Sequence, residues 1–277
     1  MNMTTADTNS RIAFIGGGNM ASAIIGGLLK QGSAPASIHV VEPFADARSR
    51  LAQQFGVQAE AQPGPALAQA QLVGWAVKPQ TFKDAAAQAK PHVQQALHLS
   101  VAAGIRSDSI AAWLGVERIV RCMPNTPALV GQGMTALYAR AAVGAGDRDR
   151  VEQVIAVTGE HLWVDREEQL DAVTALSGSG PAYVFYFLEA MVQAGAEMGL
   201  GEAQARRLAI GTFSGASELA RASSEPLPVL RERVTSKGGT TYAALTSLES
   251  DHVKDAFVKA LHAARRRAEE LGDEFGR

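Results

Sequence analysis

The sequence predicts an N-terminal α/β domain followed by an all-helical domain, and three observations support this prediction. Short apolar runs alternate with stretches of helical periodicity as far as Asp165, which is typical of βαβ units around a parallel sheet. Beyond Asp165, long stretches instead repeat apolar residues at steps of three and four. The first apolar run also leads directly into a glycine-rich turn. We therefore expect a flexible tail over residues 1–10, an α/β domain over 11–165 and a helical domain over 166–277.

The composition excludes several classes of protein. Of the 277 residues, 47% are hydrophobic and 19% are charged, so the chain can bury a substantial core. A net charge of −2 gives no electrostatic reason to expect nucleic acid or an acidic membrane as a partner. The single cysteine, Cys122, suits a reducing compartment, and the polar first residues lack the apolar segment of a signal peptide. The composition therefore predicts a cytoplasmic globular protein that binds neither nucleic acid nor membrane.

Strands are predicted wherever a short apolar run is bounded by turn residues or by a helical pattern. These runs are Ile12–Ile15, Ser37–Pro43, Gln71–Pro79, Ala96–Gly104, Arg118–Pro127, Gly133–Ala139 and His161–Asp165, with a helix over Asp147–Thr158 before the last.

In the second half, Gly180 and Pro181 start a predicted helix that Gly199 ends. Further helices are predicted over Glu202–Ala222, from about Thr240, and over Asp251–Leu271. These helices are apolar over wide arcs, which predicts a dimer whose partner covers them. A bundle that closes over its own α/β domain is the alternative.

Gly16, Gly18 and Ala21 form a G-x-G-x-x-A pattern between the first strand and the helix that follows it. Such glycines allow a tight turn and let backbone N–H groups approach a pyrophosphate at the positive end of the helix. The pattern predicts a dinucleotide-binding domain of the Rossmann type, and a merely tight turn is the alternative.

Glu42 and Arg48 bear on the form of the dinucleotide. An acidic side chain at the end of the second strand accepts hydrogen bonds from a ribose 2′-hydroxyl and repels a 2′-phosphate, which favours NADH. Arg48 and Arg50 follow within two turns, and an arginine can offset the charge of a 2′-phosphate. Glu42 could also simply face solvent beside Pro43. The residues alone leave the choice between NADH and NADPH open.

Three other strand ends carry candidate ligand-binding groups, because open α/β sheets bind ligands at the carboxyl ends of their strands. Lys78 could contact a ribose or a phosphate, or it could be a solvated loop lysine. The small residues of Ser100–Gly104 would let a planar ring lie against the backbone. Asn125 stands between two prolines and could bind a nicotinamide or a substrate, or belong to a purely structural turn. Cys122 beside it is interpreted as a small buried hydrophobe.

Two segments of the helical half contain clustered glycines and hydroxyls. Ser177–Tyr183 favours a helix cap and, second, an anion site. In Thr235–Thr241, Gly238 and Gly239 could turn several N–H groups toward one carboxylate, or simply connect two helices. The six histidines show no metal-ligand spacing, so no metal site is predicted.

The motifs FIGGGNMASAIIGG, AVKPQ, SVAAG, RCMPNTPALVGQG, SGSGPAYVF and VTSKGGTT follow one another in an order that resembles the pyrroline-5-carboxylate reductase family. The resemblance runs from about Arg11 to the C-terminus. It implies a Rossmann domain, a helical domain that interlocks in a dimer, often a larger ring of dimers, and the reduction of 1-pyrroline-5-carboxylate to proline by NAD(P)H. The family's usual cofactor is NADPH, and Glu42 leaves NADH possible.

The resemblance also assigns site residues by position. Its substrate loop falls on Ser236, Gly238, Gly239, Thr240 and Thr241, whose N–H groups would hold the substrate carboxylate while the Thr241 hydroxyl lies near the imine nitrogen. Lys237 stands where many members have proline. Its cofactor contacts fall on Ile15, Gly16, Gly18, Asn19, Met20, Ala76, Val77, Lys78, Ala102, Ala103 and Asn125.

Reduction of a C=N bond delivers hydride to carbon and a proton to nitrogen, so it requires neither a nucleophile nor a metal. We expect Thr241 to act as the catalytic residue, by hydrogen-bonding the nitrogen or relaying a proton through water. Protonation of the imine in solution is the alternative. A β-hydroxyacid dehydrogenase would need a lysine early in its helical domain, and no lysine lies between Lys90 and Lys237. A non-catalytic nucleotide sensor would keep the glycine turn without needing the Gly-Gly-Thr-Thr loop.

Overall fold

The computed structural model describes residues 11–276, so the predicted flexible tail over residues 1–10 lies outside the described residues. The chain forms two compact units, one from residues before Gly180 together with those from Ala264 onward, and one from Gly180–Ala263. This division differs from the predicted boundary after Asp165, because residues 166–179 and the end of the last helix group with the sheet.

The sheet unit is built on eight strands in the order β3-β2-β1-β4-β5-β6-β7-β8. The first six strands in that order are mutually parallel, as the alternating pattern predicts. The short β3 was not predicted, because two residues carry no periodic signal. The strands are β1 (Ile12–Ile15), β2 (Ile38–Val41), β3 (Ala59–Glu60), β4 (Leu72–Trp75), β5 (Leu97–Ser100), β6 (Ile119–Met123), β7 (Gly133–Ala139) and β8 (Gly159–Trp163).

The sheet departs from the predicted parallel arrangement only at one pairing near its far edge. Strand β7 pairs with β6 in antiparallel orientation, and β8 then runs parallel to β7. Only residues 124–132 join β6 to β7. A return to the start of a parallel strand needs about a dozen residues or more, so this short connection forces the chain to reverse direction.

Among the described residues, six α-helices lie wholly within the sheet unit, and both faces of the sheet are covered. Along β1, Ile12 and Phe14 enter one buried cluster, while Ala13 and Ile15 enter the other. This alternation follows from the two-residue period of a strand and explains why the strand is apolar throughout. The helices are α1 (Asn19–Lys30), α2 (Ala45–Phe55), α3 (Pro79–Ala89), α4 (Ser107–Leu114), α5 (Ala145–Ala156) and α6 (Gln169–Val173), the last continued by a π-helical turn, Thr174–Gly178.

The second unit consists of helices, and no strand follows β8 within the described residues. The helices predicted from Gly180, Glu202 and Thr240 are present, and the predicted final helix begins in this unit and ends in the other. The short α9 was not predicted. Among residues 11–276, every helix is too short or too polar to cross a bilayer. These helices are α7 (Gly180–Glu197), α8 (Glu202–Ala222), α9 (Leu227–Arg233), α10 (Thr240–Ser250) and α11 (Val253–Phe275).

Cys122 lies inside the sheet, and burial raises the pKa of its thiol to about 12. A thiol that stays protonated is a poor nucleophile. The interpretation of Cys122 as a small buried hydrophobe is therefore confirmed.

His98 on β5 is also buried, and its Nδ1 accepts a hydrogen bond of 3.0 Å from Trp75 Nε1. Burial lowers the pKa of His98 from 6.5 to about 4. At pH values between these two pKa values, His98 is protonated in the unfolded chain but not in the folded chain. We therefore expect the free energy of unfolding to fall by up to about 3 kcal/mol as the pH drops through this window.

Urea unfolding of the wild type and of His98→Gln at several pH values checks this prediction. Glutamine can still accept from Trp75 Nε1 but does not titrate, so its stability should depend less on pH between 4 and 6.5. Equal pH dependence in both proteins would contradict the prediction.

A buried ion pair fastens β6 to the segment that follows β8. Arg121 Nη1 donates to Glu167 Oε1 at 2.7 Å, and the Ser107 N–H donates to the same oxygen at 2.6 Å. The Ser107 hydroxyl donates to the other oxygen of Glu167. The Arg121 and Glu167 side chains are only 9% and 15% exposed.

We expect Glu167→Ala to lower the free energy of unfolding by about 3 kcal/mol, because it leaves the Arg121 guanidinium buried without its carboxylate. The matched control is Glu168→Ala at the adjacent exposed position. Denaturant unfolding of both variants measures the difference, and equal stability would refute the importance of the pair.

Candidate functional site

The candidate cofactor residues lie beyond the ends of central strands, where β1, β4 and β5 end side by side. From β1 the chain continues to β2 on one side, whereas β4 and β5 lie on the other. This reversal of strand order is the point at which open α/β sheets bind ligands. The fold therefore places the glycine turn, Ala76 and Ala102 at the carboxyl ends of neighbouring strands.

The glycine turn is tightly packed at Gly16 and open at Gly18. Gly16 has φ +95°, and a Cβ there would lie 2.5 Å from the Ala76 carbonyl oxygen. No residue but glycine fits without displacing the end of β4. A Cβ on Gly18 would meet nothing within 4 Å. The turn thus presents an accessible backbone at Gly18, as close approach of a pyrophosphate requires.

Helix α1 begins at this opening, and no side chain caps it. The first N–H groups of a helix have no intrahelical acceptor, so those of Asn19 and Met20 remain for an anion. Other N–H groups of the turn are occupied. The Gly16 N–H donates to the Val41 carbonyl at 2.8 Å, and the Gly17 N–H donates to Glu42 Oε2 at 2.8 Å.

Glu42 does not face solvent, and that alternative is wrong. The residue is 6% exposed, and its Oε1 accepts from the Phe44 N–H at 3.0 Å while Oε2 accepts from Gly17. Both carboxylate oxygens thus accept a hydrogen bond from a backbone N–H group. An ionised carboxylate has further lone pairs, so it can still accept from a ribose hydroxyl.

Arg48 lies at the same corner. Its Nη1 donates to the carbonyl oxygens of Glu42 at 2.9 Å and Pro43 at 2.7 Å. These two bonds hold a fixed positive charge beside the end of β2. A phosphate placed there would meet this guanidinium as well as the carboxylate of Glu42.

The segment after β4 completes this side of the site. Ala76 and Val77 pack against Gly16, with Val77 Cγ1 3.1 Å from the position of a Gly16 Cβ. Lys78 is exposed at the start of α3, and its carbonyl oxygen accepts from the Thr81 N–H at 3.0 Å. The structure therefore brings Ala76 and Val77 to the glycine turn and leaves the Lys78 side chain at the surface.

After β5, Ala102 is buried and its N–H donates to Ser100 Oγ at 3.3 Å. Asn125 is engaged by protein groups on both sides of its amide. The oxygen accepts from the Met134 N–H at 2.9 Å, and Nδ2 donates to the Ser177 carbonyl at 3.1 Å. One amide hydrogen is left for a ligand. The sequence showed the rigid turn at Asn125 but not these partners.

The Ser177 hydroxyl does not cap α7. It donates backward to the Val173 carbonyl at 3.2 Å, inside the π-helical turn. The helix cap predicted for the segment Ser177–Tyr183 is therefore not provided by the Ser177 hydroxyl, because this residue lies within the π-helical turn.

The candidate substrate loop, Ser236–Thr241, leads into α10. Gly238 has φ +74°, which favours glycine. The Gly239 N–H donates to the Ser236 carbonyl at 2.9 Å. This N–H is therefore not free for a ligand, although the sequence predicts that it holds a carboxylate. No side chain caps α10, and the N–H groups of Thr240 and Thr241 occupy its positive end. This arrangement can hold a carboxylate.

The two sets of residues belong to different compact units. The loop lies in the unit Gly180–Ala263, and all the cofactor candidates lie in the sheet unit. Within the described part of the chain, no group of His, Cys, Asp and Glu side chains is arranged to hold a metal ion.

Comparison with known proteins gives two family matches. Residues 167–271 match the family model described as pyrroline-5-carboxylate reductase dimerisation. Residues 11–104 match the model described as NADP oxidoreductase, coenzyme F420-dependent.

Relatives match almost the whole chain. Pyrroline-5-carboxylate reductase of Pseudomonas aeruginosa is 44% identical, over 96% of this chain and 98% of the relative. That of Haemophilus influenzae is 41% identical, over 94% and 97%. Among solved structures, the Coxiella burnetii pyrroline-5-carboxylate reductase superposes with a TM-score of 0.88 at 38% identity, covering 95% of this chain and 98% of that one. The Plasmodium falciparum enzyme with NADP bound gives 0.87 at 27% identity, covering 96% and 100%.

Proposed function

Because the chain belongs to the pyrroline-5-carboxylate reductase family, we propose that it reduces 1-pyrroline-5-carboxylate to proline, with hydride supplied by NAD(P)H. The observation that carries this proposal is the 44% identity that extends over both the glycine turn and the Ser236–Thr241 loop. The open backbone at Gly18 and the uncapped start of α1 fit a dinucleotide pyrophosphate.

NADPH is the proposed form of the cofactor. The family model over residues 11–104 describes NADP oxidoreductases, and a relative was solved with NADP bound. Arg48 supports this choice, because its two carbonyl contacts hold a guanidinium where it can offset the charge of a 2′-phosphate. Glu42 opposes it by adding a buried negative charge at the same corner. The proposed preference for NADPH over NADH therefore depends on Arg48.

The substrate carboxylate is proposed to bind at the start of α10, on the N–H groups of Thr240 and Thr241. Ser236 and the glycines Gly238 and Gly239 shape the turn that exposes these groups. The positive end of the helix adds to the attraction. The Thr241 hydroxyl is proposed to hydrogen-bond the imine nitrogen or to pass it a proton through water, while the nicotinamide C4 supplies hydride to the imine carbon. Ala102, Ala103 and Asn125 are proposed to face the nicotinamide.

Self-association follows from the dimerisation family that residues 167–271 match. We propose a dimer through the helical unit and a ring of such dimers in the cytoplasm. Exposed apolar side chains in the second unit, among them Phe185, Tyr186 and Leu208, support this proposal.

A spectrophotometric assay tests the function. Adding 1-pyrroline-5-carboxylate to the purified protein should oxidise NADPH faster than NADH. Arg48→Ala should lower the ratio of kcat/KM for NADPH to that for NADH by about tenfold, because one charge-assisted contact to phosphate is lost. The matched control is Arg50→Ala, two residues further along the same helix.

Each other outcome has a defined meaning. No oxidation of either nucleotide would overturn the proposed activity and favour a nucleotide sensor. Oxidation of NADH at least as fast as NADPH by the wild type would overturn the proposed cofactor form, and an unchanged ratio in Arg48→Ala would overturn the proposed role of Arg48. Glu42→Ser should raise the ratio of kcat/KM for NADPH to that for NADH. An unchanged ratio in this variant would show that Glu42 does not repel the 2′-phosphate.

A further inference from the structure

The end of α11 packs on the loop that joins β5 to α4, residues 101–106, and both segments belong to the sheet unit. Gly104 in this loop has φ +74°, and a Cβ there would lie 3.2 Å from Leu271 Cβ. Gly272 on the next position of the helix is buried, and its missing side chain leaves room for Arg106. Two glycines, one on each segment, thus allow the helix and the loop to approach closely.

Arg106 and Ser109 add polar contacts to this packing. A Cβ on Gly272 would lie 3.2 Å from both Nε and Nη2 of Arg106, so the guanidinium lies against the helix backbone. Its Nη2 donates to Asp273 Oδ1 at 3.1 Å. Ser109 Oγ donates to the Gly276 carbonyl at 2.7 Å.

The same end of the helix is also anchored in the core. Phe275 packs against the buried cluster that contains Ile105 and Ile110. The helix end is therefore held in place independently of the exposed Arg106–Asp273 pair, which alone would contribute little.

The beginning of the loop is held by the sheet and its end by α11. The Val101 N–H donates to the Trp75 carbonyl at 3.0 Å, and the Ala102 N–H to Ser100 Oγ at 3.3 Å. Between these bonds and the α11 contacts lies Ala103, a residue without a long side chain to fix it. The contacts with α11 begin at the very next residue, Gly104.

We propose that the segment Leu271–Gly276, which comprises the end of α11 and the residue after it, is a brace that positions Ala102 and Ala103 for the nicotinamide end of the cofactor. This inference rests on the proposed function, because it takes Ala102 and Ala103 as nicotinamide contacts. Leu271–Gly276 lies outside the cofactor site itself and acts through Gly104 and Arg106.

Gly272→Leu tests the brace, because a side chain at this position wedges between the helix and Arg106. Calorimetry would measure binding of NADPH and of 2′-phospho-ADP-ribose, which keeps the adenosine and pyrophosphate but lacks nicotinamide. We expect NADPH to bind about tenfold more weakly while binding of the fragment is unchanged. The matched control, Glu274→Leu, adds the same side chain at an exposed position of the same helix and should bind both as the wild type does.

Equal weakening of both ligands, or unchanged binding of NADPH by folded Gly272→Leu, would overturn the brace. Should Gly272→Leu fail to fold, Ser109→Ala decides, since it removes only the bond to Gly276. It should lower the affinity for NADPH relative to the fragment, and an unchanged ratio would overturn the proposal. Absence of imine reduction by the wild type would instead overturn the proposed function, and these binding measurements are independent of that activity.

Discussion

Replacing Gly16 by alanine is expected to lower the free energy of unfolding by about 3 kcal/mol or more and to abolish measurable cofactor binding. Two causes add. The φ of +95° is strained for any residue with a Cβ, and that Cβ would lie 2.5 Å from the Ala76 carbonyl oxygen. Relief of the clash moves the turn away from the end of β4 and disturbs both of these segments, which are proposed to bind the cofactor.

Gly18→Ala is the matched control for Gly16. Its φ of −71° suits alanine, and the new Cβ would meet no protein atom within 4 Å. We expect this variant to unfold at the wild-type temperature but to bind NADPH more weakly, because the methyl group enters the space proposed for the pyrophosphate. Thermal unfolding with and without NADPH measures both effects. Wild-type stability of Gly16→Ala, or wild-type binding by Gly18→Ala, would contradict this account of the turn.

Thr241→Ala is expected to lower kcat by about a hundredfold, as loss of a positioned proton donor typically does. The KM for 1-pyrroline-5-carboxylate should change little, because the proposed carboxylate contacts are backbone N–H groups that alanine retains. Thr241→Ser keeps the hydroxyl and should recover most of the lost activity. Steady-state rates of the two variants at saturating NADPH make the comparison.

The control for Thr241 is Thr246→Ala on the same helix, where the hydroxyl donates only to the Tyr242 carbonyl. It should leave kcat unchanged. A wild-type kcat in Thr241→Ala would show that the imine is protonated in solution before hydride transfer. That result would remove Thr241 from the chemistry while leaving the loop as the carboxylate site.

Local patterns predicted the parts of the fold that depend on local physics. Apolar runs located β1 and β4, and the G-x-G-x-x-A pattern located the turn at Gly16, because each signal lies within a few residues. The direction of β7 was not predicted, although the short connection before it carried the signal. The packing of the end of α11 against Arg106 could not be predicted, since Asp273 and Arg106 are 167 residues apart. No local sequence pattern indicates that these two residues pair.

The candidate site divides in the same way. Residue types at strand ends identified Glu42 and Asn125 as candidate site residues. The hydrogen-bond partners of these side chains could not be predicted, because they are set by tertiary packing. A sequence cannot show that the Glu42 carboxylate binds the Gly17 N–H, or that the Asn125 amide joins Met134 to Ser177. The π-helical turn at Ser177 likewise has no residue pattern that separates it from an ordinary helix start.

The strand order has a consequence for assembly. One outer strand, β3, is only two residues long and ends in the charged Glu60. The other, β8, carries Glu160 and His161 in its five residues. Short and charged outer strands are poor templates for hydrogen bonding by another chain's backbone. The sheet therefore resists lateral growth between molecules at both of its outer strands.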